Sequence, residues 1–349
     1  MKKVDLYNED VLRQIAIDHY ERNRTQPDIA KSLGVSRPSI TEALKRARAL
    51  GIISITIPRD KERQPSLNRL QTAMLRKFGI LEDVELVVGH IDVEGSLAPN
   101  VVPDIAKAAA TYLEGELINS VKNDDKRTSL AVSGGRRFIR QVVQNLNPNI
   151  SLPNLEVYPI SGFIREQANI GDASLLAYDI ATLYGAKYAW LPIPAIVNTQ
   201  QQCTLAKELP IVRDVLGRVE EANYYLITLF TPYSNEIIER GILQKEQVAK
   251  ISQNAVCNIE MWFYSQKGKC VNTTMAEPPF FLTGYDINKL REKVEKRKAQ
   301  VILVAGGSEK KADGTVMNQV DGIRAILEAK LANVLVTDHI TARGLLNDL

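Results

Sequence analysis

The sequence predicts an α/β protein in two parts: a small N-terminal helix-turn-helix domain of the winged type, and a larger domain built on a mainly parallel sheet. Three observations carry this. Residues Thr25 to Ile57 read TQPDIAKSLGVSRPSITEALKRARALGIISITI, two short helices around a glycine turn followed by an alternating segment. Short apolar runs alternate with amphipathic stretches through the remaining chain, as in a parallel sheet covered on both faces. Between the two lies a polar segment bracketed by Pro58 and Pro65, where few contacts are expected to cross. The expected division is therefore 1–58 for the first domain, 59–66 for a linker and 67–349 for the second.

Thr25 and Asp28 have the spacing of a helix-opening cap, with Pro27 tolerated in the first turn. Ile29, Ala30 and Leu33 give this helix one apolar side. Gly34-Val35-Ser36 makes the turn, glycine supplying a left-handed residue and Ser36 the next cap. The second helix places Ile40, Ala43, Leu44 and Ala47 on its inner side. Arg37, Ser39, Thr41, Glu42, Lys45, Arg46 and Arg48 then face outward. Ile53, Ile55 and Ile57 alternate like a half-buried strand. From Glu21 to Arg59 there are eight Lys/Arg against three Asp/Glu, a surplus of five in a chain of net charge +3, so the remainder carries a net −2. Positive charge is concentrated on the element shaped to enter a DNA groove. The expected contacts to double-stranded DNA are Gln26, Ser36, Arg37, Ser39, Thr41, Glu42, Lys45, Arg46 and Arg48.

Leu67, Leu70, Met74, Leu75 and Phe78 recur at helical spacing, as a connector or as part of a dimer interface. Strands are expected at Val84–Val88, Ser129–Val132, Glu156–Ile160, Tyr188–Leu191, Tyr224–Leu229, Val301–Ala305 and Val334–Thr337. Helices are expected over Pro103–Val121, Phe138–Leu146, Ala173–Tyr184, Lys245–Gln253, Asn288–Lys296 and Val320–Ala329, with a final one after Asp338.

In 349 residues, 45% hydrophobic and 24% charged, the composition is that of an ordinary globular protein. Cys203, Cys257 and Cys270 are scattered, with no CxxC and no nearby histidine, which fits a reducing cytoplasm and gives no support for a metal site. The start MKKVDLYNED lacks the apolar core of a signal peptide, and no apolar run suits a membrane span. His19, His90 and His339 are the only histidines, and no phosphate-binding lysine loop, GxSxG or HExxH motif occurs. These features argue against an enzyme and call for no cofactor and no metal.

In open α/β sheets a ligand lies beyond the carboxyl ends of the strands. Four expected strand ends carry small residues next to charge: Ser133-Gly134-Gly135 before Arg136 and Arg137, Ser161-Gly162 before Arg165, Gly306-Gly307-Ser308 before Lys310, and Thr337 before Asp338. Glycines allow backbone N–H groups close to an anion, Arg or Lys neutralises it, and a carboxylate accepts from hydroxyls. Such a set suits a phosphorylated or strongly hydroxylated small molecule.

With those residues in view, the chain resembles the SorC-type bacterial transcriptional regulators, also called DeoR-type sugar-binding regulators, over nearly all its length. VILVAGGSEK (Val301–Lys310) is similar to the family's AGGxxK loop, and NVLVTDHITARGLL (Asn333–Leu346) to its closing motif. VYPISG and YAWLPIPAIV fit two further segments. The resemblance implies a Rossmann-like effector domain of the phosphosugar isomerase/deaminase type, binding a sugar or sugar phosphate, in a dimer or tetramer on operator DNA. It further implies that Ser133–Arg137 is the first ligand loop, Lys310 a phosphate or hydroxyl contact and Asp338 a hydroxyl acceptor. The chain departs from the pattern where Ser133-Gly134-Gly135-Arg136-Arg137 replaces Gly-Trp-Gly-x-Thr, where Cys257-Asn258-Ile259 replaces Gly-Asp-Ile, and where Lys311–Gln319 intervenes after Lys310. The expected function is a DNA-binding regulator controlled by a small-molecule effector. The alternatives are a regulator with a vestigial pocket governed by a protein partner, and a sugar-phosphate isomerase or deaminase-like enzyme.

Overall fold

The computed structural model describes residues 8–20, 22, 24–50, 52–53, 64–89, 101–123, 127–164, 171–232, 246, 249, 251, 253–310 and 316–347, with only the backbone at 64–65, 122–123, 308–310 and 316–318. The chain divides into two compact units, Met1–Gln64 and Pro65–Leu349.

The first unit packs α1 (Glu9–Tyr20), α2 (Gln26–Leu33) and α3 (Arg37–Ala49) around Leu12, Ile15, Ile29, Ile40, Leu44 and Ala47, all buried. Local chemistry fixes the helix ends. The Thr25 hydroxyl accepts from Asp28 N–H, Gly34 closes α2 at φ 65°, and the Ser36 hydroxyl accepts from Ser39 N–H. α1 was not foreseen in the sequence reading; it supplies Leu12 and Ile15, without which the other two helices would leave their apolar faces in water. The strand expected over Ile53, Ile55 and Ile57 lies largely outside the described residues, and with it the winged feature.

The second unit is a seven-stranded, wholly parallel sheet. Its strands are β1 (Asp83–Val87), β2 (Thr128–Val132), β3 (Leu155–Pro159), β4 (Lys187–Tyr188), β6 (Tyr224–Ile227), β10 (Gln300–Val304) and β13 (Val334–Asp338), in the order β1-β13-β10-β6-β2-β3-β4. Six of the seven expected strands coincide with members, and the seventh, expected at Tyr188–Leu191, meets β4 only at Tyr188. Side chains alternate between the two faces as the pleat requires. Leu130, Val132, Ile302, Val304, Val334 and Val336 meet α5 (Val101–Asn123), α6 (Ile139–Gln144) and α7 (Ala173–Tyr184) on one face. Ala131, Val301, Leu303 and Leu335 share the opposite core with Met74 and Phe78, so α4 (Gln64–Lys77) packs onto this unit.

Two helices that sequence periodicity did not reveal, α8 (Gln200–Glu208) and α9 (Pro210–Glu220), follow the small strand β5 (Ile196–Val197). β5 pairs with β9 (Phe281–Leu282), and β7 (Cys257–Ile259) with β8 (Trp262–Tyr264). The segment after Lys310, expected as an intervening insertion, is partly the return strand of a hairpin: β11 (Ser308–Lys310) pairs antiparallel with β12 (Val316–Asn318). Helices α10 (Leu290–Glu295), α11 (Val320–Glu328) and α12 (His339–Leu346) complete the fold. The helix expected over Lys245–Gln253 falls mostly outside the described residues. Among those described, no helix is long and apolar enough to cross a membrane.

Candidate functional site

In the first unit, Arg37, Glu42, Lys45, Arg46 and Arg48 are exposed along α3, while Ser39 and Thr41 are half-buried. Ser36 and Ser39 are engaged in capping the helix, their hydroxyls 2.8 Å apart. Thr41 donates to Gln26 Oε1 at 2.9 Å, which ties the starts of α2 and α3 and leaves the Gln26 amide N–H groups directed elsewhere. Lys45 and Glu42 form a loose pair at 3.8 Å in full solvent, a contact that contributes little. Arg48 donates to the Tyr20 hydroxyl at 2.5 Å, so it braces α3 against α1. Below them Asp18 is clasped by Arg22 (2.8 Å) and Arg24 (2.7 Å). Burial pushes its carboxyl up, but the hydrogen bonds from Arg22 and Gln14 and the charge of Arg24 outweigh this and hold it below the usual range.

In the second unit the chain runs outward in both directions from β2 and β6, which lie side by side. That is the topological switch point, where the loops leaving adjacent strands diverge and open a crevice. Ser133–Arg137 follows β2 and Thr228-Leu229 follows β6; the two touch where a Cβ on Gly135 would lie 2.9 Å from Thr228 Cγ2. The Arg137 guanidinium lies over the Phe138 ring and beside Gly307, whose φ of 67° and 2.8 Å approach to Val101 Cγ1 admit only glycine. The loops after β2, β6 and β10 therefore meet.

The expected backbone cradle is not open. Each glycine N–H of the two loops is already spent inside the protein. Gly134 donates to Glu260 Oε1, Gly135 to the Gly171 carbonyl (2.9 Å), Gly306 to Gln319 Oε1 (2.8 Å) and Gly307 to Asp338 Oδ2 (2.9 Å). Asp338 is likewise committed. Fully buried, it accepts from Ile340 N–H and Thr341 N–H at Oδ1 and from Thr341 Oγ1 and Gly307 N–H at Oδ2, which uses the four lone-pair positions of a carboxylate. It caps α12 and ties that helix to the β10 loop. The residue expected as a hydroxyl acceptor for a ligand thus has its acceptor positions used within the fold. His339 is structural in the same way, its Nδ1 accepting from Gly89 N–H at 2.9 Å.

Gly162 is also placed by packing: a Cβ there would sit 2.0 Å from the Ile193 carbonyl oxygen. Ser133 is wholly buried and donates to the Gly134 carbonyl. Arg136 is exposed. Arg165 lies outside the described residues, and Lys310 is placed by its backbone alone, in β11. Thr337 Oγ1, fully buried at the end of β13, has no protein partner among the described residues.

Glu260 was missed by sequence reasoning. It and Met261 form the two-residue turn between β7 and β8, with φ of 49° and 64°. Both positive values mark the hairpin turn that favours Asn-Gly, and each costs of order 1 kcal/mol or more for other residues. Nothing in the string Asn-Ile-Glu-Met-Trp announces such a turn. The strain delivers the carboxyl to the ends of β2 and β3, where it also hydrogen-bonds Ser161. Burial pushes its pKa up, the bonds from Ser161 and Gly134 draw it down, and the neighbouring Asp172 pushes it up again; the net direction is upward. Among the described residues no group of His, Cys, Asp and Glu is arranged to hold a metal.

Fold and site together define an α/β unit whose glycine-bearing strand-end loops meet at a parallel sheet's switch point, in a chain that also holds a small helical unit. Against known proteins, the family model described as "Putative sugar-binding domain" matches residues 63–347, and the chain belongs to that family, the SorC/DeoR-type regulators. It is 26% identical over 333 residues, 95% of each chain, to the deoxyribonucleoside regulator of Bacillus subtilis. It is 24% identical to the sorbitol operon regulator of Klebsiella pneumoniae, covering 97% of this chain and 99% of the other. The crystal structure of that full-length regulator superposes with a TM-score of 0.63 at 22% identity, over 97% and 99% of the two chains, which shows a shared fold.

Proposed function

We propose that the chain is a DNA-binding transcriptional regulator, and not an enzyme, whose operator affinity is set by a small-molecule effector, a sugar or sugar phosphate. Residues 1–58 are the helix-turn-helix reader, 59–66 the linker, and 67–349 the Rossmann-like domain that binds effector and self-associates as a dimer or tetramer in the cytoplasm. The observation that carries this is α3. It is capped by Ser36, buried on one side and exposed on the other with Arg37, Glu42, Lys45 and Arg46, as a helix that enters the major groove must be. Its attachment to a unit of the sugar-binding family, and the naming of relatives as regulators, support the effector half.

Of the proposed effector contacts Arg136, Arg137, Arg165 and Lys310 are the cationic ones, and Arg137 and Lys310 would supply the charge to the ligand. An effector moves DNA affinity only by binding the DNA-competent and incompetent assemblies unequally. The spacing of two readers in an oligomer is the element to bias. The internal commitment of Asp338 and of the glycine N–H groups favours a second reading, a closed pocket with control by a protein partner.

A metabolite panel separates the two. A true effector raises the thermal midpoint by mass action and changes operator affinity. Lys310→Ala is expected to abolish that change while leaving ligand-free DNA affinity intact. A panel in which no sugar or sugar phosphate moves either quantity overturns the effector reading.

A further inference from the structure

The loop after β2 has the composition of an anion site, Gly134-Gly135 at a strand end, but both glycines are buried and their N–H groups are bonded within the protein. In this chain a carboxyl group of the protein already sits there. Glu260 Oε1 accepts from Gly134 N–H, and the Ser161 hydroxyl at the end of β3 binds the same carboxyl. The fit is close. A Cβ on Gly134 would lie 2.9 Å from the Gly171 carbonyl oxygen and 3.2 Å from Glu260 Oε1, so the Gly171 backbone first, and Glu260 beside it, leave room only for glycine. Glu260 is only 8% exposed and sits in the turn that closes the β7–β8 hairpin. Asp172, also 8% exposed, stands near enough to act on it electrostatically. The Arg137 guanidinium lies on the other side, beside Gly307, while the stem of the exposed Arg136 packs against Gly171.

We infer that Glu260 is a specificity-determining residue: a built-in carboxyl group whose oxygen occupies the Gly134 N–H, closes the β2 side of the strand-end loops to phosphate and fixes the polarity of the ligand. The ligand presents an uncharged hydroxyl toward Glu260 and Ser161, and any phosphate lies on the Arg137 side. A hydroxyl can pair with a buried carboxyl in either of its protonation states, whereas a phosphate would have to displace it from the Gly134 N–H. The inference rests on the effector reading above, but the chemistry of the loop can be tested without knowing the effector.

The test uses the full-length protein labelled with [15N]glycine and titrated with inorganic phosphate, against sodium chloride of equal ionic strength. In the wild type the Gly134 amide resonance is expected to stay still, even where phosphate moves the Gly307 resonance. In Glu260→Gly, which suits the positive φ of that turn and so keeps the hairpin, the Gly134 resonance is expected to shift saturably. The gain in apparent phosphate affinity at Gly134 is about tenfold or more. Glu260→Gln, which retains the acceptor oxygen, is expected to leave Gly134 unresponsive. A Gly134 amide that titrates with phosphate in the wild type overturns the inference. So does a Gly134 amide that stays still in a Glu260→Gly protein whose other glycine resonances show it folded. Neither outcome depends on whether a metabolite alters DNA binding, so the loss of the effector reading would be seen separately.

Discussion

The two units use polar side chains in opposite ways. On α3 the charged residues stand in water: Lys45 pairs loosely with Glu42, and Arg48 reaches across to Tyr20 on α1. At the strand ends the polar groups are buried and satisfy one another across the chain: Gly134 with Glu260, Gly307 with Asp338, Gly306 with Gln319. An outward set can change its partner at small structural cost. An inward set is part of what holds the sheet's loops together, so recognition and stability are bound to the same atoms. The largest expected effects of mutation therefore lie where the residues look most like ligand contacts.

Asp338→Ala is the strongest test of that contrast. It strands two helix-terminal N–H groups, the Thr341 hydroxyl and Gly307 N–H in a site without water access, and is expected to cost roughly 3 kcal/mol or more. Glu42→Ala on α3 is expected to change stability by less than about 0.5 kcal/mol while altering operator preference. Urea unfolding compared with binding to a randomised operator library reads both effects. If Asp338→Ala unfolds at the wild-type urea concentration, the capping role is wrong and the acceptor is free for a ligand after all.

Next in size is the reader itself. Arg37→Ala, Thr41→Ala and Lys45→Ala combined are expected to weaken operator binding by at least the roughly 1–3 kcal/mol of one lost base contact. Thermal stability should be nearly unchanged, since Arg37 and Lys45 are exposed and Thr41 contributes one side-chain bond to Gln26. Arg48→Ala belongs with the inward set despite its exposure. Its bond to Tyr20 makes it a brace, so a small loss of stability should accompany any loss of phosphate affinity. Wild-type operator binding by the triple variant would remove α3 from the interface.

How far the sequence could be read follows the same division. Caps, turn and inner face of α2–α3 are set within about three residues of one another, and each was legible from spacing. The inner sheet strands were legible too, because a strand buried on both faces is a continuous apolar run, whereas the exposed edge strand β4 was met by its expected run only at Tyr188. What escaped is non-local. Glu260 is 126 residues from the amide it holds, and its turn lacks the residues that such turns prefer. Asp338 was seen at a strand end, but its four donors could not be counted without the helix it caps. α8 and α9 were hidden because Leu205, Leu209 and Ile211 are exposed, which blurs the helical period.

The two units should also answer acid oppositely. Asp18 is held below its ordinary 3.8, so its contribution to the first unit is present above that value and is lost as pH falls through the lower folded pKa. Glu260 is held above its ordinary 4.5, so its contribution to the second unit is fully present below that value and is lost as pH rises through the folded pKa. Hydrogen exchange across α1–α3 and across β2–β6, with Asp18→Asn and Glu260→Gln as controls, follows each unit by itself. Protection of the wild type relative to Glu260→Gln should decline with rising pH; an increase would mean that the carboxylate, not the acid, is the favoured buried form.

The smallest expected effect is at Thr337. Its hydroxyl is buried at the end of β13 without a protein partner among the described residues, beside the point where a Cβ on Gly306 would lie 2.7 Å away. A buried donor left unmade is a cost, and a methyl group of the same shape removes it, so Thr337→Val should be neutral or stabilise the ligand-free protein by up to about 1 kcal/mol. A hydroxyl kept at such a cost makes sense if a ligand completes it. The same variant should then weaken whatever metabolite the panel identifies, by about three- to tenfold, the share of one neutral hydrogen bond. A drop in ligand-free stability would place a partner on Thr337 inside the fold, making it one more member of the inward set.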